Sequence, residues 1–167
     1  MYILKVCIIV KMQTAFINSP LGITKIVGDE NGIAEISVSS EGDVSTIIPS
    51  ELQEAVSQLS DYFDGKRKDF NFKLNPKGTD FQQKVWQELL NIPFGKTISY
   101  LDLSKKLGDV KAIRAVASAN GKNPLWIVIP CHRVIGTDGS LTGYAGGLWR
   151  KKWLLEHENP TNQQSLF

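Results

Sequence analysis

Two cysteines and two histidines are all that the 167 residues supply. Cys7 and Cys131 stand far apart, so the chain has no disulfide framework and no Cys-x-x-Cys pair. Cys131 and His132 are adjacent, with only Cys7 and His157 besides, which leaves no zinc-ligand spacing. A reducing cytoplasm is the natural setting for such a chain. Long apolar runs are missing too. The stretch MYILKVCIIVK, residues 1–11, is too short to span a bilayer. It lacks a small-residue cleavage site and makes a poor signal peptide. It suits an edge strand, or an extension upstream of a true start at Met12. Cys7 within it reads as a packed hydrophobe. No repeat and no low-complexity tract is present.

Charge of one sign is also scarce overall, at a net +2. The halves differ, however. Residues 1–76 carry 7 Lys and Arg against 10 Asp and Glu; residues 77–167 carry 12 against 7. The second half suits a polyanion, although a net +5 is also what a solvated face carries. Apolar content of 42% and charged content of 22% describe an ordinary globular protein, long enough for one large domain or two small ones.

Residues 12–48 alternate apolar and polar, with breaks at Ser19–Gly22, Asp29–Gly32 and Ser40–Asp43. The pattern predicts three antiparallel strands, with Asn31-Gly32 as a hairpin signal. Ser50 and Gln53 have capping-box spacing, and Leu52, Ala55, Val56, Leu59, Tyr62 and Phe63 fall on one helical face. Residues 65–78 look like a linker, which puts a boundary near 76. Thr79 and Gln82 form a second capping box. A helix follows, with Phe81, Val85, Trp86, Leu89 and Leu90 on its apolar side. A short helix over 99–107, a turn at Gly108 and a further helix from Asp109 to about Asn120 make a helix-turn-helix pattern. A last helix, about 147–157, is expected to bury Leu148, Trp149, Trp153 and Leu154.

The second helix of that pair lies in KAIRAVASANGKN, residues 111–123. Ala115, Ser118 and Ala119, followed by Gly121, make one face of it slim. Small side chains suit close packing on another helix. They also suit entry into a narrow minor groove, with Arg114 projecting.

The most informative stretch is Pro130-Cys131-His132-Arg133-Val134-Ile135-Gly136. The apolar run Trp126–Ile129 before it reads as a buried strand, which Pro130 stops. A cysteine at the end of a rigid element, with an imidazole next to it, has what a thiol needs to act as a nucleophile, and Cys131 is expected to titrate below the free-thiol value of about 8.5. The alternative reading of each residue alone is a small buried hydrophobe and a structural histidine.

PCHRVIG closely resembles the active-site signature of the O6-alkylguanine-DNA alkyltransferases, and the resemblance runs from about residue 79 to 159. It implies an α+β protein. A small N-terminal sheet-and-helix domain of ribonuclease H-like type would span 1–76. A winged-helix-like, helix-turn-helix domain for DNA binding and alkyl transfer would span 77–167. Arg114 matches the family's arginine finger, which fills the gap left by a flipped nucleotide. Tyr100 matches the tyrosine that crowds the neighbouring phosphate. Asn123, in Asn123-Pro124, matches the asparagine that braces the active-site turn. Ala115, Ser118, Ala119, Gly121 and Lys122 would lie along the DNA. SLTGYAGGL, residues 140–148, resembles the substrate loop. Tyr144, Ala145 and Gly146 would line the pocket there, with Val134 and Trp126. Glu158 matches the glutamate that orients His132.

By that resemblance, His132 takes the Cys131 proton through a water. The thiolate then removes the alkyl group from O6-alkylguanine, and by extension from O4-alkylthymine. The S-alkylcysteine is permanent, so the protein is a single-turnover enzyme. No cofactor and no metal is implied. The partner is double-stranded DNA containing alkylated bases, without a membrane. A cytoplasmic monomer is expected. The rival readings are a lesion-binding module without transfer, a winged-helix regulator and, more weakly, a cysteine hydrolase. The first does not need Cys131, and the second needs neither PCHRVIG nor Glu158.

Overall fold

A computed structural model describes residues 10–160. The expectations for Cys7 and the strand around it lie outside the described residues. Three strands, β1 (Gln13–Ser19), β2 (Gly22–Asp29) and β3 (Gly32–Ser39), form an antiparallel sheet in that order. Ile26 sits opposite Ala15 on one side and Ile36 on the other, and all three are buried. The second hairpin pairs Asp29 with Gly32, so Glu30 and Asn31 form the loop and Gly32 opens the next strand. Gly32 has φ +130°, and a Cβ there would lie 2.8 Å from the Lys73 carbonyl oxygen. Both the backbone conformation and that contact require glycine.

Helix α1 (Gln53–Phe63) is preceded by a 3₁₀ turn over Ser50–Leu52. The capping box expected of Ser50 and Gln53 does not form. Gln53 instead donates to the Ile48 carbonyl at 3.2 Å. The extra tight turn moves Ser50 off the N-cap position. The face expected of α1 is otherwise present, with Leu52, Ala55, Leu59 and Tyr62 all buried.

Residues 65–78 have no helix and only a single bridge, but they are packed. Ile33 N–H donates to the Lys73 carbonyl at 2.8 Å, and Asn75 N–H donates to the Ile33 carbonyl at 2.7 Å. Further along the same edge, Ile36 N–H donates to Pro124 and Trp126 N–H donates to Ile36, at 2.8 and 3.0 Å. The edge of β3 thus anchors the segment that leads into Pro130-Cys131.

Helix α2 (Asp80–Leu89) opens with the Thr79–Gln82 capping box, complete in both directions. Phe81 and Leu90 lie on its exposed side rather than its core side. Trp86 is the central buried side chain, and its Nε1 donates to the Ala119 carbonyl at 2.9 Å. Truncation of such a ring typically costs about 3–5 kcal/mol. Strand β4 (Ile98–Ser99) leads into α3 (Tyr100–Lys106), which Ser99 caps. Asp109 caps a 3₁₀ turn that continues into α4 (Ile113–Gly121).

The run Trp126–Ile129 is not a strand, although Ile127, Val128 and Ile129 are buried and Trp126 is half-buried. Val128 N–H turns back to the Trp126 carbonyl, Ile129 N–H turns back to Leu125, and Ile127 has φ +75°. β-Branched residues signal burial, and here the buried backbone closes its hydrogen bonds in tight turns. Strand β5 (Val134–Ile135) pairs in parallel with β4. Helix α5 (Leu148–Glu158) also corrects an expectation. Leu148 and Trp149 are 47% and 54% exposed, while Arg150, Lys151, Leu154, Leu155 and Glu158 face inward. One apolar core runs from Ala15 through Leu59 and Trp86 to Leu125, Val134 and Leu154.

Candidate active site and DNA-facing cleft

Cys131, His132 and Arg133 form a single 3₁₀ turn before β5, and all three are buried. Asn123 stitches the approach to that turn. Its Oδ1 accepts from Leu125 N–H at 2.9 Å, and its Nδ2 donates to the Ile129 carbonyl at 2.8 Å.

Glu158, at the end of α5, meets the turn from behind. His132 Nε2 lies 2.7 Å from Glu158 Oε1. Arg133 grips the same carboxylate with two nitrogens, at 2.8 and 2.9 Å, and places Nη1 on the Ile92 carbonyl at 2.6 Å. Tyr62 Oη and Gly95 N–H complete the set, at 2.8 and 3.3 Å. Burial opposes the charge on Glu158. The hydrogen bond and charge of His132, and those of Arg133, outweigh it and hold the carboxyl well below the usual range. A carboxylate only accepts, so His132 carries its proton on Nε2. Burial pushes the imidazole below its ordinary value, against the pull of Glu158, which keeps the ring neutral near pH 7. Its Nδ1 is buried and has no hydrogen-bond partner among the described residues. The arrangement offers a base with one nitrogen anchored and the other open.

The thiol departs from the sequence expectation. A catalytic cysteine is expected to titrate below the free value of about 8.5. Burial instead pushes Cys131 up to about 11, and the Asn123 side chain and the Lys151 charge offset this only in part. Cys131 is 4% exposed, so the desolvation of a thiolate dominates.

Four residues that no motif reading assigned surround this turn. Arg133 and Tyr62 hold Glu158, as described. Lys151 Nζ donates to the Val134 carbonyl at 2.6 Å and to the Thr142 carbonyl at 2.7 Å, which ties β5 to the loop before α5. Burial lowers its pKa to about 8, and the Cys131 charge pulls the other way. In sequence, Arg150-Lys151-Lys152 looks like a solvated run, and nothing local marks the middle residue. Asn120 Nδ2 reaches both the Tyr100 hydroxyl at 3.3 Å and the Cys131 carbonyl at 3.5 Å.

An open cleft of about 560 Å³ lies between α4 and the loop before α5, lined by Tyr100, Arg114, Gly121, Gly143, Tyr144 and Ala145 among others. The Tyr100 hydroxyl donates to the Gly143 carbonyl at 3.4 Å, and burial raises its pKa. The Tyr144 ring packs on Trp126, with centroids 5.6 Å apart. Gly146 is buried beside the same indole, where a Cβ would come within 2.7 Å of the ring. Arg114, Ala115, Ser118, Gly121 and Lys122 are exposed along α4. Ala119 is not on that face. It is buried at 3% exposure, and its carbonyl accepts from Trp86. The helical repeat turns it inward beside Val116 and Asn120. Among the described residues, no three His, Cys, Asp or Glu side chains converge on a metal-sized site.

A helix-turn-helix next to a buried Cys–His–Glu constellation defines a class: DNA-directed proteins that accept a group on cysteine. The comparisons narrow it. The family described as 6-O-methylguanine DNA methyltransferase, DNA binding domain, matches residues 80–160, and its ribonuclease-like domain matches residues 12–76. A methylated-DNA–protein-cysteine methyltransferase of Methanosarcina barkeri is 44% identical over 154 residues, covering 88% of this chain and 97% of the relative. The crystal structure of Mycobacterium tuberculosis O6-methylguanine methyltransferase superposes with a TM-score of 0.81 at 41% identity, covering 90% of this chain and 94% of that one. The M. tuberculosis protein in complex with DNA matches with the same TM-score at 42% identity, covering 88% and 92%. The chain belongs to the methylated-DNA–protein-cysteine methyltransferase family. Membership sets aside the regulator and hydrolase readings. No helix among the described residues is long and apolar enough to cross a membrane.

Proposed function

We propose that this chain repairs alkylated DNA directly, passing the alkyl group of O6-alkylguanine once and irreversibly to Cys131. The observation that carries this is the buried relay: His132 is anchored through Nε2 on Glu158 and keeps an unpartnered Nδ1, one residue along the chain from the buried Cys131. Nδ1 takes the Cys131 proton through a water. The S–C bond forms as the C–O6 bond breaks, and the electron pair leaves with guanine. Tyr100 donates toward the ring as that charge develops. Burial pushes the resting thiol up to about 11, which favours loss of its proton in step with attack. The product is a thioether, which water cannot displace, so each molecule acts once. O4-alkylthymine suits the same chemistry.

The cleft supplies the route to the thiol. The damaged nucleotide turns out of the stack from the minor-groove side, Tyr100 crowds its phosphate and Arg114 fills the gap. Ala115, Ser118 and Gly121 keep α4 slim against the groove, and Lys122 reaches a phosphate. Tyr144 and Ala145 line the cleft and meet the base; Trp126 backs the Tyr144 ring, Gly146 packs on that indole and Val134 is buried beyond the lining, while Asn123 holds the turn. Residues 1–76 form the supporting unit and 77–167 the DNA-binding and transfer unit. One flipped base needs one site, which suits a monomer, and a free thiol suits the reducing cytoplasm.

The test is incubation with a duplex carrying one O6-methylguanine, followed by intact-mass measurement and peptide mapping. A single gain of about 14 Da at Cys131 is expected from covalent transfer of one methyl group. Sustained turnover, or alkylation at Cys7, overturns the proposal.

A further inference from the structure

One phenol reaches the relay from the N-terminal sheet-and-helix unit. Tyr62, in the last turn of α1, is fully buried, and its Oη donates to Glu158 Oε1 at 2.8 Å. The same oxygen accepts from His132 Nε2 at 2.7 Å and from Arg133 Nη2 at 2.9 Å. The ring is locked edge-on against Phe63, Phe94 and His157. The Tyr62 carbonyl accepts from His157 Nε2 at 2.7 Å, so the ends of α1 and α5 are stapled twice within two residues. A phenylalanine would fill this apolar space equally well. The hydroxyl therefore serves only the carboxylate it touches.

We infer that Tyr62 is a positioning residue for alkyl transfer: its hydroxyl sets the orientation and basicity of Glu158, and through Glu158 the proton affinity of His132. The inference rests on the relay reading above. A donor on Oε1 draws charge away from that oxygen and weakens its hold on an imidazolium. The charged or titratable groups acting on His132 are Glu158 and Lys151 from α5 and Arg133 from its own turn. Those acting on the Tyr62 hydroxyl are Glu158, Arg133 and Tyr144. Of the donors on Oε1, Tyr62 is the one that can be removed without changing charge or ring packing.

The test is Tyr62→Phe in the full chain, with single-turnover rates on an O6-methylguanine duplex measured from acid to alkaline pH. Loss of the donor strengthens the Glu158–imidazolium pair, so His132 stays protonated to higher pH. The acid limb of the rate profile should move upward by about half a pH unit or more. Nitrogen NMR of the His132 ring in unreacted protein should show the same upward shift. An acid limb and a ring titration that superimpose on wild type overturn the inference, even if the plateau falls, because a merely structural loss moves neither. Glu158→Gln is run alongside. If it is slow while Tyr62→Phe keeps the wild-type limb, only the Tyr62 inference fails; if it reacts like wild type, the relay fails as well.

Discussion

Glu158→Gln keeps the shape of the buried carboxylate and removes its charge. His132 Nε2 lies 2.7 Å from Oε1, and both side chains are buried. At an effective dielectric of about 20, full opposite charges at that distance attract by about 6 kcal/mol. A half-developed imidazolium in the transition state is then worth about 3 kcal/mol, or roughly a hundredfold in rate. That lies at the lower end of the roughly 100- to 10,000-fold range of general-base catalysis. The same substitution leaves the Arg133 guanidinium buried without its counter-charge. Breaking such a pair costs about 3–5 kcal/mol, or roughly 6–20 °C in Tm for a chain of this size. The two effects separate in Arg133→Met/Glu158→Gln, which should recover part of the melting temperature and none of the rate. The assay is single-turnover transfer against pH, with a thermal melt of each variant. The wild-type rate should rise from acid through a His132 transition below the ordinary 6.5 and stay flat above neutrality. A rate still climbing tenfold per pH unit between 7 and 10 would show that a pre-formed thiolate limits transfer, and would refute the relay. So would a wild-type rate in folded Glu158→Gln protein.

Arg114→Ala should slow repair in duplex DNA about tenfold or more while transfer from the free base O6-benzylguanine stays within about twofold, since only the duplex requires flipping. Equal losses on both substrates place Arg114 in the chemistry or the fold instead. Asn123→Ala removes a buried acceptor for Leu125 N–H and a donor to the Ile129 carbonyl. It should cost about 2–4 kcal/mol in a denaturant titration and slow transfer as well; a loss under about 1 kcal/mol means that the turn holds itself.

Much of the fold can be read from adjacent residues, because the interactions that make it are local. The Thr79–Gln82 box, the strand hairpins and the Gly108 turn each depend on side chains a few positions apart. PCHRVIG and the residues that match around it point to the family. Several readings failed where burial comes from distant parts of the chain. Trp126–Ile129 is as apolar as a strand, yet only Leu125 and Trp126 find an edge, on Ile36, and the rest coils into turns. Leu148 and Trp149 look like core, but the inward face of α5 is spent on Arg150, Lys151 and Glu158, whose partners lie far away in sequence. Thiol chemistry is written in Cys131-His132, but its titration is not. Desolvation depends on everything packed around the sulfur, and it reverses the shift that the motif alone suggests. The sequence by itself determined the family and so the type of reaction, and it named Cys131 as the proposed nucleophile. Tertiary structure decided what surrounds them, bringing Tyr62, Asn120, Arg133 and Lys151 to the site, because a buried charge or hydroxyl must find a partner wherever the fold provides one.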